Sequence, residues 1–262
     1  MLRFDKIIVR VSDFVERSSL KMNILSIGNS FSQDAQRYLH RIAKADGVIL
    51  NTYNLFIGGC SLSLHYRNML SDEKAYMLEM NGESTGFKVS LKEALLNRDW
   101  DVVTVQQASP VSPNYETYQP YLSEIVDYIK KCVPKAKIAI HQTWAYEQDS
   151  QLLNERLGYR EHTKMFEDVK GAYQKAFEEI NADIIIPSGE LLQKLIAHGI
   201  EKVHRDTLHL SYGLGRYAVG LLWYSVLTGK SSQNNMFCDF DEEISEADIE
   251  ISKECVAEIC SI

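Results

Sequence analysis

From Met22 onward, short apolar runs alternate with longer segments of helical periodicity. The apolar runs read NILSIG, ILNTYNLFIGG, DVVTVQQ, KIAIHQTW and ADIIIPSG. Several are apolar on both faces, as in strands of a sheet that helices cover on both sides. Alternation of strands and helices favours a parallel sheet with right-handed crossovers. The sequence therefore predicts a three-layer α/β/α sandwich built on a flavodoxin-like, doubly wound sheet of about five parallel strands.

Nothing in the sequence marks a linker, a repeat or a domain boundary within residues 22–262. We expect these residues to form a single domain that ends in an acidic helical tail, DFDEEISEADIEISKE. Residues 1–21 are expected to be an N-terminal extension of unknown role. The second apolar run alternates apolar and polar residues, which is typical of an edge strand. The segment SDEKAYMLEMNGESTGFKVSLKEAL is compatible with a short strand or hairpin before a helix.

Composition excludes several classes of function. The formal net charge is −8 and no basic stripe occurs, which argues against nucleic-acid binding. No run approaches the ~18 apolar residues of a membrane span, and the first residues lack the apolar region of a secretory signal. The 5 cysteines include no C-x-x-C pair, so they predict free thiols rather than disulfides or a zinc site. We expect a cytoplasmic protein without a bound metal.

Ligands of open α/β sheets bind at the carboxyl ends of the strands, where the strand order reverses. The residues after the predicted strands are therefore the candidates for a site. They are Gly28-Asn29-Ser30, Gly58-Gly59-Cys60, Gln106-Gln107 and Gln142-Thr143-Trp144.

Ser30 allows three interpretations. Ser30 and Gln33 have the spacing of a helix capping box, and Ser32 could cap the helix equally well. A turn between a strand and a helix also binds phosphate in flavodoxin-like folds. The third interpretation is a nucleophile, which requires a base and an acid that orients the base.

The segment HRDTLHLSYGLGRY offers such a pair, because Asp206 precedes His209 by three residues. This spacing lets the carboxylate meet one imidazole nitrogen while the other nitrogen points towards a serine. An Asp-x-x-His pair is a weak signal alone, and it also occurs on ordinary surface loops. His65, His141 and His204 are rival bases without an acid at so suggestive a spacing.

Taken together, GNSFS, GGCSL and DTLH resemble motifs of the SGNH/GDSL hydrolase superfamily, in a poorly characterised bacterial branch known as a domain of unknown function. The resemblance spans about Met22 to Gly229. It implies a serine esterase that needs no cofactor, with Ser30 as nucleophile, His209 as general base and Asp206 as the orienting acid. It also implies that the backbone N–H groups of Ser30 and Gly59 bind the oxyanion.

The sequence departs from the superfamily in its third motif, where VQQAS replaces the usual Gly-x-Asn. A glutamine amide offers the same N–H donor as the asparagine. We therefore expect Gln106 to be the third oxyanion donor, with Gln107 as the alternative, since neighbouring strand residues face opposite sides.

The expected substrate is a carboxylic ester, with a small acyl group such as acetyl on a carbohydrate or a similar polar carrier. This expectation rests mainly on the resemblance. Trp144, Tyr146 and Tyr115 are candidates to stack on a sugar ring, although they could equally be packing aromatics, and His65 is a further candidate for the pocket. The rival hypothesis is a non-catalytic protein that binds phosphate or another anion on a flavodoxin-like scaffold.

Overall fold

The structure is a computed structural model, and it describes residues 20–148 and 150–261. In this part of the chain, seven strands form one sheet in the order β4-β3-β2-β1-β5-β6-β7. The strands are β1 Lys21–Gly28, β2 Ile49–Phe56, β3 Tyr76–Met80, β4 Glu83–Val89, β5 Val102–Val105, β6 Lys137–Gln142 and β7 Ile184–Pro187. Residues 1–19 of the predicted N-terminal extension lie outside the described residues. The other two residues of this extension are Leu20 and Lys21, and Lys21 begins β1.

The α-helices alternate with these strands as the sequence predicts. They are α1 Ser30–Gln36, α2 Leu39–Ala45, α3 Leu62–Ser71, α4 Leu91–Leu96, α5 Tyr121–Cys132, α6 His162–Glu179, α7 Ser188–Ala197, α8 Leu214–Thr228 and α9 Glu246–Cys260. Short turns of 3-10 and π-helix cover Tyr115–Thr117 and Leu152–Arg156. None of the described helices has both the length and the apolar character needed to cross a bilayer.

Five of the strands in the described sheet run parallel, and β3 and β4 form an antiparallel hairpin beside them. The predicted α/β/α sandwich is confirmed. The expectation of an edge position for β2 is wrong, because β3 pairs with β2 and covers its open side. The polar side chains of β2 are used inside the fold: Asn54 donates a hydrogen bond to the carboxylate of Glu79 on β3 (2.8 Å).

Helices cover both faces of the sheet. Helices α1, α2, α7, α8 and α9 pack on one face, and α3, α4, α5 and α6 pack on the other. Helix α8 is buried on nearly all sides because α1, α2, α7 and α9 surround it, which explains its almost continuous apolar sequence. The acidic tail forms α9, which buries Cys255 and Val256 and keeps its charged residues largely outside.

The strand order reverses between β1 and its neighbours β2 and β5. From β1, the chain passes first to β2 on one side and later to β5 on the other. The carboxyl ends of these strands lie together, because Gly28 pairs with Phe56 and Ile27 pairs with Val105. The loops after these strands therefore meet at one edge of the sheet, where the sequence places the candidate site.

Candidate active site

Ser30 is the first residue of α1, directly after β1. The helix cap is Asn29, whose side-chain oxygen accepts the N–H of Phe31 (3.0 Å), and the Ser32 hydroxyl accepts the N–H of Asn29 (3.1 Å). The capping box therefore consists of Asn29 and Ser32, not of Ser30 and Gln33. This leaves the Ser30 hydroxyl available, and it lies 2.8 Å from Nε2 of His209.

His209 and Asp206 lie on the loop that precedes α8. One carboxylate oxygen of Asp206 lies 2.8 Å from Nδ1 of His209, and the other accepts the His209 N–H (2.8 Å). Thr207 has a φ of 73°, which is unfavourable for a β-branched residue. This backbone strain closes the turn that brings the carboxylate and the imidazole together, and strained backbone of this kind clusters at functional sites.

The contacts of Asp206 fix the proton on the imidazole of His209. A carboxylate can only accept, so Nδ1 carries the proton and Nε2 accepts the hydroxyl proton of Ser30. Partial burial raises the pKa of Asp206, but hydrogen bonds from the backbone N–H and the ring of His209 outweigh it and lower the pKa below its usual value. Asp206 thus stays charged at neutral pH and keeps the imidazole in this orientation.

A buried carboxylate joins α1 to the loop that carries His209. Asp34 is fully buried, and its carboxylate accepts hydrogen bonds from Arg205 (2.9 and 3.0 Å) and from Arg216 (2.8 Å). It also accepts the N–H of Leu210 at 3.2 Å. Because Leu210 directly follows His209, this ionic cluster sets the position of the base relative to the helix that starts at Ser30.

The expected oxyanion donors are two backbone N–H groups, those of Ser30 and Gly59. Among the described residues, no oxygen accepts a hydrogen bond from the N–H of Ser30 or from that of Gly59. Both residues line the same cavity. Gly59 has a φ of 62°, in the left-handed region that a side chain disfavours, so glycine is the residue best suited to this turn.

The expectation that Gln106 or Gln107 projects an amide into this cavity is wrong. Gln106 is 3% exposed, and its amide donates to the side chain of Asn29 (2.8 Å). The amide of Gln107 donates to Thr117, and its oxygen accepts the N–H groups of Leu62 and Ala108. Neither glutamine lines the cavity of Ser30, so both amides hold loops together instead.

Gln106 belongs to a buried relay of hydrogen bonds, Ser188–His141–Gln106–Asn29. Since the Gln106 amide donates to Asn29, its oxygen must accept from His141 Nδ1 (2.7 Å). His141 Nε2 then accepts the hydroxyl proton of Ser188 (3.0 Å). Burial lowers the pKa of His141 to about 3, so the ring is neutral, and its two hydrogen bonds set the tautomer.

The relay ends at the turn that contains Gly59. The Asn29 side chain donates to the backbone oxygen of Cys60 (3.1 Å) while its oxygen accepts the N–H of Phe31. Asn29 thereby connects the start of α1, next to Ser30, to the residue that follows Gly59. Gln106 holds Asn29 in place, and Asn29 contacts the residues next to both free N–H groups. Gln106 does not itself provide a third oxyanion donor.

The cavity beside Ser30 has a volume of about 360 Å³. Tyr146, which the sequence suggested, is on its wall, and its hydroxyl lies 3.0 Å from that of Ser109. Burial raises the pKa of Tyr146, whereas the hydrogen bond with Ser109 and the charge of Arg156 act in the opposite direction. Among the described residues, the lining is formed by Ser30, Gly58, Gly59, Ser109, Pro110, Tyr146, Leu152, Arg156, Leu157, Leu208 and His209.

The other aromatic candidates are not on this wall. Trp144 is fully buried; it stacks on Phe31 with ring centroids 4.1 Å apart and donates to the oxygen of Leu208 (2.8 Å). It therefore packs beneath the nucleophile and the base instead of facing the cavity. The half-buried ring of Tyr115 stacks on Tyr118.

The histidines proposed as alternatives to His209 are also buried elsewhere. His65 lies behind Cys60 and contacts the hydroxyl of Tyr76 (3.1 Å), so it is not a pocket residue. Burial lowers the pKa of His65 to about 3 and that of His204 to about 4. These imidazoles are neutral core groups.

Sequence reasoning missed Ser109 and Arg156. Ser109 follows the two glutamines after β5, and its place at a strand end was the signal that could have found it. Arg156 lies in a long polar loop whose path the sequence does not give. Only the fold reveals that this loop returns to the cavity of Ser30.

The model of a protein family described as Domain of unknown function (DUF4886) matches residues 23–258. The chain belongs to this family. A solved DUF4886 family protein from Bacteroides uniformis has 32% identity with it, covering 91% of this chain and 95% of that one, with a TM-score of 0.83. No curated protein sequence matches the chain.

Other solved structures have the same fold at lower identity. A candidate SGNH hydrolase from Slackia heliotrinireducens has a TM-score of 0.57 and 20% identity, covering 79% of this chain and 99% of that one. A mutant of an acetyl-xylooligosaccharide esterase from Geobacillus has a TM-score of 0.50 and 12% identity, covering 80% and 93%. The resemblance to the SGNH/GDSL superfamily is thus confirmed for the fold of this DUF4886 protein.

Proposed function

We propose that the protein is a serine hydrolase of carboxylic esters. One observation carries the proposal: the hydroxyl of Ser30, the imidazole of His209 and the carboxylate of Asp206 form a continuous chain of hydrogen bonds, and Ser30 and His209 line a cavity. Nucleophile, base and orienting acid in this order are the requirements for activating a serine.

In the first half of the reaction, His209 takes the proton of Ser30 as the serine oxygen attacks the ester carbonyl. Asp206 stabilises the imidazolium that forms. His209 then gives this proton to the departing alcohol, and the acyl group remains on Ser30. In the second half, His209 takes a proton from water as the water oxygen attacks the acyl carbonyl. The tetrahedral intermediate then releases the carboxylic acid, and His209 returns its proton to the oxygen of Ser30.

The developing oxyanion requires hydrogen-bond donors that other groups do not occupy. The N–H groups of Ser30 and Gly59 meet this requirement. The hydroxyls of Ser109 and Tyr146 are on the same cavity wall and replace Gln106 as the source of a third donor.

The proposed substrate carries a small acyl group, such as acetyl, on a carbohydrate or a similar polar carrier. A volume of about 360 Å³ lies at the lower end of the usual range for small-molecule sites and leaves room for more than an acetyl group. A structure with this fold is described as an acetyl-xylooligosaccharide esterase, which agrees with this choice. The unpaired state of all five cysteines agrees with a cytoplasmic location.

The rival anion-binding function leaves the contacts of His209 unexplained. A phosphate site at the start of α1 has no need for an imidazole that accepts the Ser30 proton. Such a site also has no need for a carboxylate on the far side of that imidazole. The enzyme hypothesis accounts for both contacts.

Hydrolysis of 4-nitrophenyl acetate, butyrate and octanoate tests the proposal. Ser30→Ala should lower kcat by a factor of about 10³ or more while leaving the fold intact. Ser109→Ala should lower kcat by about 10²-fold if its hydroxyl binds the oxyanion. Ser123→Ala, on α5 and outside the lining of the cavity, is the control and should match the wild type in kcat. Equal rates for the wild type and Ser30→Ala would contradict the proposal.

A further inference from the structure

Among the described residues that line the cavity of Ser30, one is a permanent cation and none is an acid. Arg156 is on its wall, and none of the lining residues is an aspartate or a glutamate. The rest of the wall is mainly apolar, formed by Pro110, Leu152, Leu157 and Leu208. The protein as a whole has a formal net charge of −8, so the positive charge of this cavity wall is opposite in sign to that of the protein.

Among the described residues, the guanidinium of Arg156 has no partner for an ion pair or a side-chain hydrogen bond. Across residues 20–148 and 150–261, no carboxylate forms an ion pair with Arg156 and no side chain accepts a hydrogen bond from it. The neighbouring Glu155 instead accepts a hydrogen bond from Gln151 on the same turn (2.8 Å). By contrast, Arg37, Arg205 and Arg216 all pair with aspartates.

The charge of Arg156 reaches one hydroxyl group on the cavity wall. It acts on the phenol of Tyr146, which contacts Ser109 at 3.0 Å. A ligand that contacts Ser30 therefore occupies a cavity that Arg156 also lines. A guanidinium forms its strongest hydrogen bonds with planar or tetrahedral anions such as carboxylate and phosphate.

We propose that Arg156 selects substrates whose carrier is an anion: an ester of an acidic sugar, with a carboxylate near the acylated hydroxyl. The inference rests on the proposed function, because it assigns the charged group to the carrier and the small acyl group to Ser30. An acetyl group has no charged atom that Arg156 could bind, so the negative charge must belong to the alcohol part of the ester.

Matched pairs of esters test this selection. The first pair varies the alcohol part: 3-acetoxybenzoate has a charged alcohol part, and phenyl acetate has a neutral one. The second pair varies the acyl group: 4-nitrophenyl hemisuccinate has a charged acyl group, and 4-nitrophenyl butyrate has a neutral one. The variants are Arg156→Gln and Arg156→Lys. Arg160→Gln is the control, because Arg160 is exposed on the same loop, as Arg156 is, but does not line the cavity. Ratios of variant to wild type cancel the different chemical reactivities of the esters.

Arg156→Gln should lower kcat/KM for 3-acetoxybenzoate by about five- to tenfold, mainly through KM, and change phenyl acetate less than twofold. Arg156→Lys should retain part of the preference, and Arg160→Gln all of it. Equal changes for both acetates would overturn the proposal. A change confined to the hemisuccinate would overturn the assignment of the anion to the carrier.

A binding measurement separates this proposal from the proposed catalysis. Ligand-observed NMR with glucuronate and glucose does not depend on hydrolysis. Glucuronate should bind the wild type more tightly than glucose does, and Arg156→Gln should remove the difference. If Ser30→Ala proves as active as the wild type while this preference remains, the esterase assignment fails and the anion site stands. Equal binding of both sugars to the wild type would overturn the anion site alone.

Discussion

Asp34→Asn should destabilise the protein by about 3 kcal/mol, although the two side chains have nearly the same shape. The carboxylate of Asp34 has no exposed surface, and the side chains of Arg205 and Arg216 are only 18% and 11% exposed. Removing one member of a buried ion pair costs about 3–5 kcal/mol because the remaining charge loses its partner. We expect the lower end of this range, since Arg216 keeps its contact with Asp241.

The measurement is the free energy of unfolding in urea, with Glu83→Gln as a matched control. Glu83 also pairs with an arginine, Arg37, but its side chain is 70% exposed, so its loss should cost less than about 1 kcal/mol. Asp34→Asn should also lower kcat for 4-nitrophenyl acetate, because Asp34 holds the N–H of Leu210, next to His209. A loss of stability no larger than that of Glu83→Gln would refute this reasoning.

Two further predictions concern buried polar groups. Gln106→Leu breaks the relay to Asn29 and should lower kcat more than it raises KM, since Gln106 does not line the cavity; a larger effect on KM than on kcat would contradict this role. The second prediction concerns the buried histidines His65, His141 and His204. Burial lowers the pKa of these side chains to about 3 or 4, whereas histidines of the unfolded chain titrate near pH 6.5. Their contribution to stability is therefore constant above pH 6.5 and is lost as the pH falls below it. The loss should approach about 4 kcal/mol per pH unit near pH 5, and circular dichroism should show unfolding above pH 4; a folded protein at pH 3.5 would be the contrary result.

The fold was predictable because its signals are local. Strands that are apolar on both faces, with helical periodicity between them, leave a doubly wound sheet as the natural arrangement. The edge of the sheet was less predictable. The strand β2 alternates like an edge strand, but its polar Asn54 has a buried partner in Glu79, which only the pairing with β3 reveals.

The candidate site likewise has residues whose positions the sequence predicts and residues whose roles only the structure reveals. The positions of Ser30 and Gly59 follow from strand ends, and the contact of His209 with Asp206 follows from a spacing of three residues. The role of Gln106 does not, because the direction of its amide depends on His141 and Asn29, which come from distant parts of the chain. Trp144 likewise follows a strand end, but the position of Phe31 turns its ring into the core.

The central claim is that Ser30 is an activated nucleophile. The most direct measurement is the intact mass of the protein after treatment with diisopropyl fluorophosphate, followed by peptide mapping. We predict a single diisopropylphosphoryl adduct on Ser30, none on Ser30→Ala, and much slower modification of His209→Ala. An adduct on another serine, or the same rate without His209, would contradict the claim.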